Sequence, residues 1–292
     1  MRRPMGVLLA MTLGACASTD RSPGWAHLGE DKLYAVSGCA LEHDGDGRLD
    51  LLVVHDCKGP GEPRIGRATV AGGVTSFTPL AWPAGADGPV DVESICAVPG
   101  IPGRFGLLAS GGKLFFVDVA GDTVTLAGPP VKFPKPPGIA APNYESFVLR
   151  EQDGGLVAMW ADRGEGEPAA RLMWGPFDLA KGPRIAGSAD IRVPYPGREH
   201  TRDVADLKID AAGNVWATAT WDDDEGDDFR SAVYVIGVLR DATKADGFVA
   251  DPAPRPVREF PDHKAEGIEL LPGGRLALGA DDESRGGWFL VE

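Results

Sequence analysis

The segment DHKAEGIELLPGGRLALGADDES (262–284) decides the fold of this chain, because it reads as two apolar strands joined by a Pro-Gly-Gly turn. Glu266 lies at the start of the first strand, and Asp281 lies at the end of the second. Alternating apolar residues and a glycine turn are enough to form a hairpin, so the fold of the segment needs neither carboxylate. The acids at its two ends therefore require a separate explanation.

Similar strand–turn–strand units occur elsewhere in the chain. They are YAVSGCALEHDGDGRLDLLVVHDCKG (34–59), DVESICAVPGIPGRFGLLASGGKLFFVDV (91–119), NYESFVLREQDGGLVAMWADRGEG (143–166) and VADLKIDAAGNVWATATWDDDEGDD (204–228). A third and a fourth apolar segment follow most of them. Four short strands that recur about every 50–60 residues indicate the blades of a propeller. We therefore predict an all-β fold, a β-propeller of five blades, with six blades as the alternative.

The last unit makes a specific prediction about ring closure. It stops at Glu292 after its third strand, so its outer strand is missing. The segment GWAHLG (24–29) near the other end of the sequence can supply that strand and cover the exposed edge. We therefore expect residues 24–292 to form a single propeller domain, closed by an N-terminal strand in the last blade.

The repeat places carboxylates in two sets. A hairpin of two short arms returns to the face it left, and the first strand of a propeller blade normally lines the central channel. The first set should therefore ring the channel mouth, and the second should lie farther out on the same face. The first set is Glu93, Glu145, Asp206 and Glu266, and the second is Asp162, Asp222 and Asp281.

Carboxylates that converge on one channel repel each other unless something neutralises them. A hard cation such as Ca²⁺, basic side chains or protons can do so. The simpler alternative is that these acids cap turns or face solvent. We expect the two sets to hold a metal, and we assign catalytic roles to Glu145 and Glu266 together with three nearby bases that would bind an anion: Arg163, Arg202 and Lys264.

The first residues have the features of an export signal. Arg2 and Arg3 precede a short apolar run, which ends in Leu-Gly-Ala-Cys at Cys16. This pattern is typical of a lipoprotein signal peptide over residues 1–15, with Cys16 as the lipidated residue and 16–23 as a tether. An ordinary signal peptide is the alternative. The protein is then expected on the periplasmic or cell-surface side, held to the membrane only by its lipid.

Composition and cysteine usage restrict the partners. The formal net charge of −14 makes nucleic acid an unfavourable ligand, and we expect a monomer. If Cys16 carries lipid, Cys39, Cys57 and Cys96 remain. In an oxidising compartment Cys39 can pair with Cys57 across one hairpin, which leaves Cys96 free.

Several short motifs together resemble one known family. DVESI (91–95), NYESF (143–147), WADRG (160–164), KAEGIEL (264–270) and ADDES (280–284) are similar to the exported propellers described as having esterase-like activity of phytase. The resemblance covers residues from about 33 to 292. It implies a propeller with an acidic channel, calcium binding and hydrolysis of phosphate or carboxylic esters. Glu93, Glu145 and Glu266 match the repeated glutamate of that family, whereas Asp206 matches by position only.

Two functions follow from the sequence. The first is a metal-dependent hydrolase of a small anionic ester, with Ca²⁺ as cofactor. The second is a non-catalytic envelope protein that binds a protein or a glycan through the propeller face.

Overall fold

The computed structural model describes residues 24–29, 32–85, 88–136, 138–222 and 228–292. The sequence interpretations of residues 1–15, of the tether 16–23 and of Cys16 lie outside the described residues. No helix in the described ranges is long and apolar enough to cross a membrane. The described helical segments are three short 3₁₀ turns, Lys32–Tyr34, Pro272–Gly274 and Glu283–Arg285.

The strands form five antiparallel sheets, which are the blades of a propeller. The first strand, β1 (Ala26–Gly29), belongs to the last blade. Blade 1 contains β2 (Gly38–Gly45), β3 (Arg48–Val54), β4 (Ile65–Ala71) and β5 (Val74–Leu80). Blade 2 contains β6 (Val92–Ala97), β7 (Arg104–Ala109), β8 (Lys113–Ala120), β9 (Thr123–Leu126) and β10 (Val131–Lys132).

The remaining blades repeat this plan. Blade 3 contains β11 (Tyr144–Gln152), β12 (Gly155–Asp162), β13 (Ala170–Asp178), β14 (Gly182–Pro183) and β15 (Gly187–Ile191). Blade 4 contains β16 (Thr201–Ile209), β17 (Asn214–Trp221), β18 (Arg230–Leu239), β19 (Phe248–Ala250) and β20 (Pro256–Phe260). Blade 5 contains β21 (Ala265–Leu271), β22 (Arg275–Asp281) and β23 (Gly287–Val291), with β1 as its outer strand. In blades 2 to 4 the outer strand is split into two short pieces that both pair with the third strand.

The five-blade prediction and the predicted ring closure are both confirmed. Strand β1 pairs with β23 in an antiparallel register, with Ala26 opposite Phe289 and His27 opposite Trp288. Trp25, just before β1, is buried against Phe260 of blade 4 at 5.6 Å between ring centroids. The N-terminal strand therefore completes blade 5 and also seals it against blade 4.

The core lies in layers between neighbouring blades. Each apolar cluster takes one face from one blade and the facing side of the next, as with Trp174 of blade 3 and Tyr234 of blade 4. This explains why the strands read as apolar blocks rather than strict alternation, since both faces of most blades are covered. The inner strands β2, β6, β11, β16 and β21 contact each other around the central channel.

The cysteine pairing considered above does not form. Cys39, Cys57 and Cys96 are all free and buried. Cys39 lies opposite Val53 in the β2–β3 ladder, so Cys57 is four residues beyond its cross-strand neighbour. That offset corresponds to roughly 13 Å along a strand, well above the separation of about 7 Å that a disulfide tolerates.

Candidate functional site

Three glutamates at the channel mouth occupy the same kind of position in their blades. Each is the extra residue of a β-bulge at the start of an inner strand: Glu93 in β6, Glu145 in β11 and Glu266 in β21. A bulge re-aims a side chain that regular alternation would send elsewhere. All three are nearly buried, with exposed fractions of 8%, 2% and 2%. The predicted equivalence of these three residues is therefore visible in the register.

Blade 1 contributes no acid here, because Ser37 precedes Gly38 where blades 2, 3 and 5 have a glutamate. The inner strands are closely packed beside this position. A Cβ atom on Gly38 would lie 3.0 Å from the Cα of Ser94, and one on Gly267 would lie 3.1 Å from the Cα of Gly38. These contacts are tighter than usual and favour glycine at both positions.

Lys264 is the centre of the largest ion-pair cluster. Its side chain is 1% exposed, although lysine is rarely buried without partners. The ammonium lies within 4 Å of four carboxylates: 3.1 Å from Asp222, 3.5 Å from Glu266, 3.3 Å from Asp281 and 2.6 Å from Glu283. Burial alone would lower the pKa of Lys264, but the carboxylates of Asp281 and Glu266 outweigh it and raise that pKa well above its usual value.

Two arginines neutralise the inner glutamates. Arg202 of β16 donates to Glu266 Oε1 at 2.7 Å, so it bridges blade 4 to blade 5. Arg163 donates to Glu145 Oε1 at 3.3 Å and to Glu165 at 2.5 Å. Burial would lower the pKa of Arg202, but Glu266, Glu145 and Glu93 raise it, so the guanidinium stays charged.

Glu93 differs from the other two glutamates. In the described part of the chain no hydrogen bond or ion pair reaches its carboxyl group, which lies beside the carboxylates of Glu145 and Glu266. Burial, reinforced by Glu145, Glu266 and Asp91, raises the pKa of Glu93 well above its usual value. Glu93 is therefore the channel-mouth carboxyl group that most strongly favours its protonated form.

Two further acids of this face have raised pKa values. Burial raises the pKa of Glu266 to about 8, although Lys264 and Arg202 oppose the shift. Burial, together with the charge of Asp281, raises the pKa of Asp56 to about 6. Protons, as well as basic side chains, thus relieve the repulsion that the sequence predicted.

Asp206 is not at the channel mouth. Asp206 lies opposite Thr218 of β17, four residues before Asp222. Glu266, in contrast, lies near Ala280, at the end of its partner strand β22. The irregular stretch of β16 between Arg202 and Asp206 spans more residues than the bulges of the other blades, which explains why equal spacing misplaced it. Asp206 is fully buried and accepts from Ser94 at 3.0 Å and from Lys208 at 3.1 Å. It also accepts from the backbone N–H of Ile268 at 3.1 Å, so it joins β6, β16 and β21 in the interior of the propeller.

The second set of acids divides in the same way. Asp222 and Asp281 join the Lys264 cluster, as their spacing predicted. Asp162 does not contact that cluster. It accepts from the backbone N–H of Asn143 at 2.7 Å and of Gly164 at 3.5 Å, so it acts as a turn cap at the same end of the blade.

Several acids of this face were not predicted from the sequence, among them Asp56, Asp91 and Glu283. Asp56 follows β3 as Asp222 follows β17, so the same register could have located it. Asp91 pairs with Lys58 at 3.0 Å and precedes the bulged Glu93 by two residues. Its φ of 63° lies in the left-handed region, a strained conformation for a residue other than glycine. No sequence signal marks that strain.

The described side chains do not fit a calcium ion. Calcium needs six to eight oxygen ligands that are free to face it. Here most of the mouth carboxylates already face Lys264, Arg202 or Arg163, and no group of three or more His, Cys, Asp or Glu side chains in the described ranges is arranged to hold a metal. Calcium binding therefore stays a prediction, and no step below depends on it.

Comparisons with known proteins agree on the fold. No protein-family model matches the chain, and no curated protein matches it. Among solved structures, an α-L-arabinofuranosidase from Lactobacillus brevis is 7% identical, with a TM-score of 0.51 over 89% of this chain and 91% of that one. A GH32 β-fructofuranosidase from Bombyx mori is 13% identical, with a TM-score of 0.52 over 88% of this chain and 59% of that one.

A third solved structure has similar statistics. An exo-β-1,3-galactanase from Phanerochaete chrysosporium is 8% identical, with a TM-score of 0.50 over 88% of this chain and 60% of that one. At such low identity the likeness establishes the shared five-bladed propeller fold and no more.

Proposed function

We propose that the protein is a hydrolase that cleaves a glycosidic bond at the channel mouth by carboxyl acid–base chemistry. The observation that carries the proposal is the contrast between Glu93 and Glu145. Glu93 lacks a basic partner in the described part of the chain and has a raised pKa, whereas Glu145 is paired with Arg163. Glycosidases need two carboxyl groups whose surroundings favour opposite protonation states.

The roles follow from those surroundings. The protonated Glu93 donates its proton to the oxygen of the leaving group as the glycosidic bond breaks. Glu145, neutralised by Arg163, acts on the opposite side of the reacting carbon, either through an activated water or by direct attack. Arg202 and Lys264 hold Glu266 in place between them, so Glu266 fixes the geometry of the mouth.

Charge favours a neutral sugar over a phosphate ester. The clusters described above contain ten acids, Asp56, Asp91, Glu93, Glu145, Asp162, Glu165, Asp222, Glu266, Asp281 and Glu283, against four bases, Lys58, Arg163, Arg202 and Lys264. With Glu93 and Glu266 protonated, eight acids still exceed four bases. A phosphate group would meet net repulsion there without a metal. The named activities of the three propellers above agree with this choice, although the argument rests on the charges.

Hydrolysis of phosphate or carboxylic esters, which the family resemblance implies, is therefore the less favoured candidate. The non-catalytic envelope protein that binds a protein or a glycan is the remaining alternative. Both are outcomes of one experiment.

The experiment compares turnover of p-nitrophenyl glycosides, p-nitrophenyl acetate and p-nitrophenyl phosphate, each with Ca²⁺ and with EDTA. We expect glycoside turnover that is equal in Ca²⁺ and EDTA. Glu93→Gln and Glu145→Gln should each lower kcat by about 10²–10⁴-fold, the usual contribution of a general acid or base. Glu151→Gln is the matched control, because Glu151 lies exposed at the other end of the same strand as Glu145.

Two results would count against the proposal. Phosphate turnover that requires Ca²⁺ would establish the ester hydrolase instead. Absence of turnover with every substrate, together with correct folding by circular dichroism, would favour the binding protein.

A further inference from the structure

A large cavity lies between blades 1 and 2, on the face of the propeller that carries the channel-mouth acids. Its volume is about 820 Å³, within the range of about 300–1,000 Å³ that is usual for ligand pockets. Residues 58 and 60–64 after β3 form one wall, and residues 79–82, 88 and 90 form another, on the same face as Glu93. The residues that matter here are Tyr34, Lys58, Arg64, Trp82 and Val90.

Lys58 connects this cavity to the mouth. It lines the cavity, and its ammonium lies 3.0 Å from Asp91 Oδ1. Asp91 precedes Glu93 by two residues, so their Cα atoms are separated by about 7 Å at most. The hydrogen bond with Asp91 raises the pKa of Lys58, and the negative charges of Asp91, Asp56 and Glu93 raise it further. Lys58 therefore lies between the cavity and the acids at the start of β6.

The cavity wall has the chemistry of a sugar-binding surface. Trp82 and Tyr34 offer half-buried aromatic rings, and Val90 adds an exposed apolar side chain (53% exposed). Trp82 is held from one side by Phe115, edge to face at 6.1 Å between ring centroids. Among the described residues the buried indole N–H of Trp82 has no hydrogen-bond partner, so the ring presents its apolar surface, not its donor, to the cavity.

The rest of the wall is rigid. Arg64 is 7% exposed and donates to the carbonyl oxygen of Gly59 at 2.6 Å, so it fixes the loop from which Lys58 projects. Arg64 and Lys58 are both committed to partners on the protein. The lining therefore combines aromatic and apolar side chains with polar groups, which is the mixture that binds the apolar face and the hydroxyl groups of a sugar ring.

We infer that this cavity binds further sugar units of the substrate, so that the protein acts on an oligosaccharide rather than on a single glycoside. The inference rests on the proposed function and names the substrate class for the same site. One unit lies at Glu93 and Glu145, and the chain continues past Lys58 onto Trp82.

The test measures binding and turnover separately with linear arabino-, xylo-, galacto- and gluco-oligosaccharides of two to six units. Binding is followed by calorimetry on the Glu145→Gln variant, and turnover is followed on the wild-type chain. We expect affinity to rise with length for one of these series, and Trp82→Ala to weaken binding of the longest member roughly tenfold. Turnover of the p-nitrophenyl monoglycoside should stay within about twofold.

Two variants guard against a folding defect. Val90→Arg narrows the cavity from an exposed position, removes no buried atoms and should reproduce the loss of affinity. Trp216→Ala, which removes a half-buried tryptophan at the opposite end of the channel, should leave binding unchanged.

The outcomes separate this inference from the proposed function. Length-dependent binding without turnover supports the cavity and overturns the hydrolase. Turnover that is independent of length and insensitive to Trp82→Ala and Val90→Arg overturns the cavity and leaves the hydrolase standing. No binding and no turnover with any series overturns both.

Discussion

At the residue scale, the burial of Lys264 gives a direct prediction about stability. Replacing it in Lys264→Met leaves Asp222, Glu266, Asp281 and Glu283 without their shared cation. Breaking a buried ion pair by removing one partner costs about 3–5 kcal/mol of unfolding free energy. We expect a loss of this size at pH 7, measured by urea denaturation.

The matched control is Lys244→Met. Lys244 pairs with Asp241 at 2.9 Å, but its side chain is 68% exposed, so the loss should be far smaller than that of Lys264→Met. Similar losses in the two variants would show that the Lys264 cluster contributes no more than a surface pair.

The same residues show how far a single sequence can predict a site. The glutamates at 93, 145 and 266 could be located because each precedes an apolar strand in a recurring unit. The position of Asp206 below the channel mouth could not be predicted, because an irregularity in strand pairing leaves no mark in composition or spacing. Lys264 was noticed as a base beside the acids, but its burial among four carboxylates depends on contacts between strands far apart in sequence.

At the element scale, β1 closes the ring. It pairs with β23 and places the buried side chains of Trp25 and Leu28 against neighbouring elements. Burying two such side chains stabilises a protein by about 1.5–3 kcal/mol each. Deleting residues 1–29 should therefore lower Tm by an amount on the order of 10 °C and promote association through the exposed edge of β23.

A chain that lacks only residues 1–23 is the control, since it keeps β1 and Trp25. It should have the same Tm as the full-length protein and remain monomeric in size-exclusion chromatography. Overlapping melting curves for the two deletions would mean that β1 adds nothing to the closure of the ring.

The blade pattern could be predicted because each strand and turn is marked by residues that are close together in the sequence. Apolar runs, glycine turns and the incomplete fifth unit were enough to give the number of blades and the pairing of residues 24–29. The bulges at Glu93, Glu145 and Glu266 could not be predicted from the sequence, because a bulge depends on how a strand pairs with its neighbour. The fold is therefore more predictable than the direction in which its functional side chains point.

At the scale of the whole molecule, the raised pKa values set the pH dependence of stability. Burial raises the pKa of Glu93, of Glu266 to about 8 and of Glu269 to about 7. An acid whose pKa is raised in the folded state stabilises it fully below the unfolded value of 4.5, and this contribution is lost as pH rises through the folded value. Burial lowers the pKa of His55 to about 4, which reduces stability only below its ordinary value of 6.5.

Between pH 6.5 and pH 8.5 the carboxyl groups therefore dominate, and the free energy of unfolding should fall by about 1.4 kcal/mol per pH unit for each carboxyl group that is protonated in the folded state and ionised in the unfolded state. Glu93→Gln removes one of these groups without breaking a described hydrogen bond, so its stability should fall less steeply and exceed that of the wild type at pH 8.5. Glu151→Gln, at the exposed end of β11, should follow the wild-type curve. Urea denaturation at three pH values tests this prediction. Stability that rises across this window, or parallel curves for Glu93→Gln and wild type, would mean that Glu93 is ionised in the folded protein. Glu93 could then not act as the general acid of the proposed mechanism.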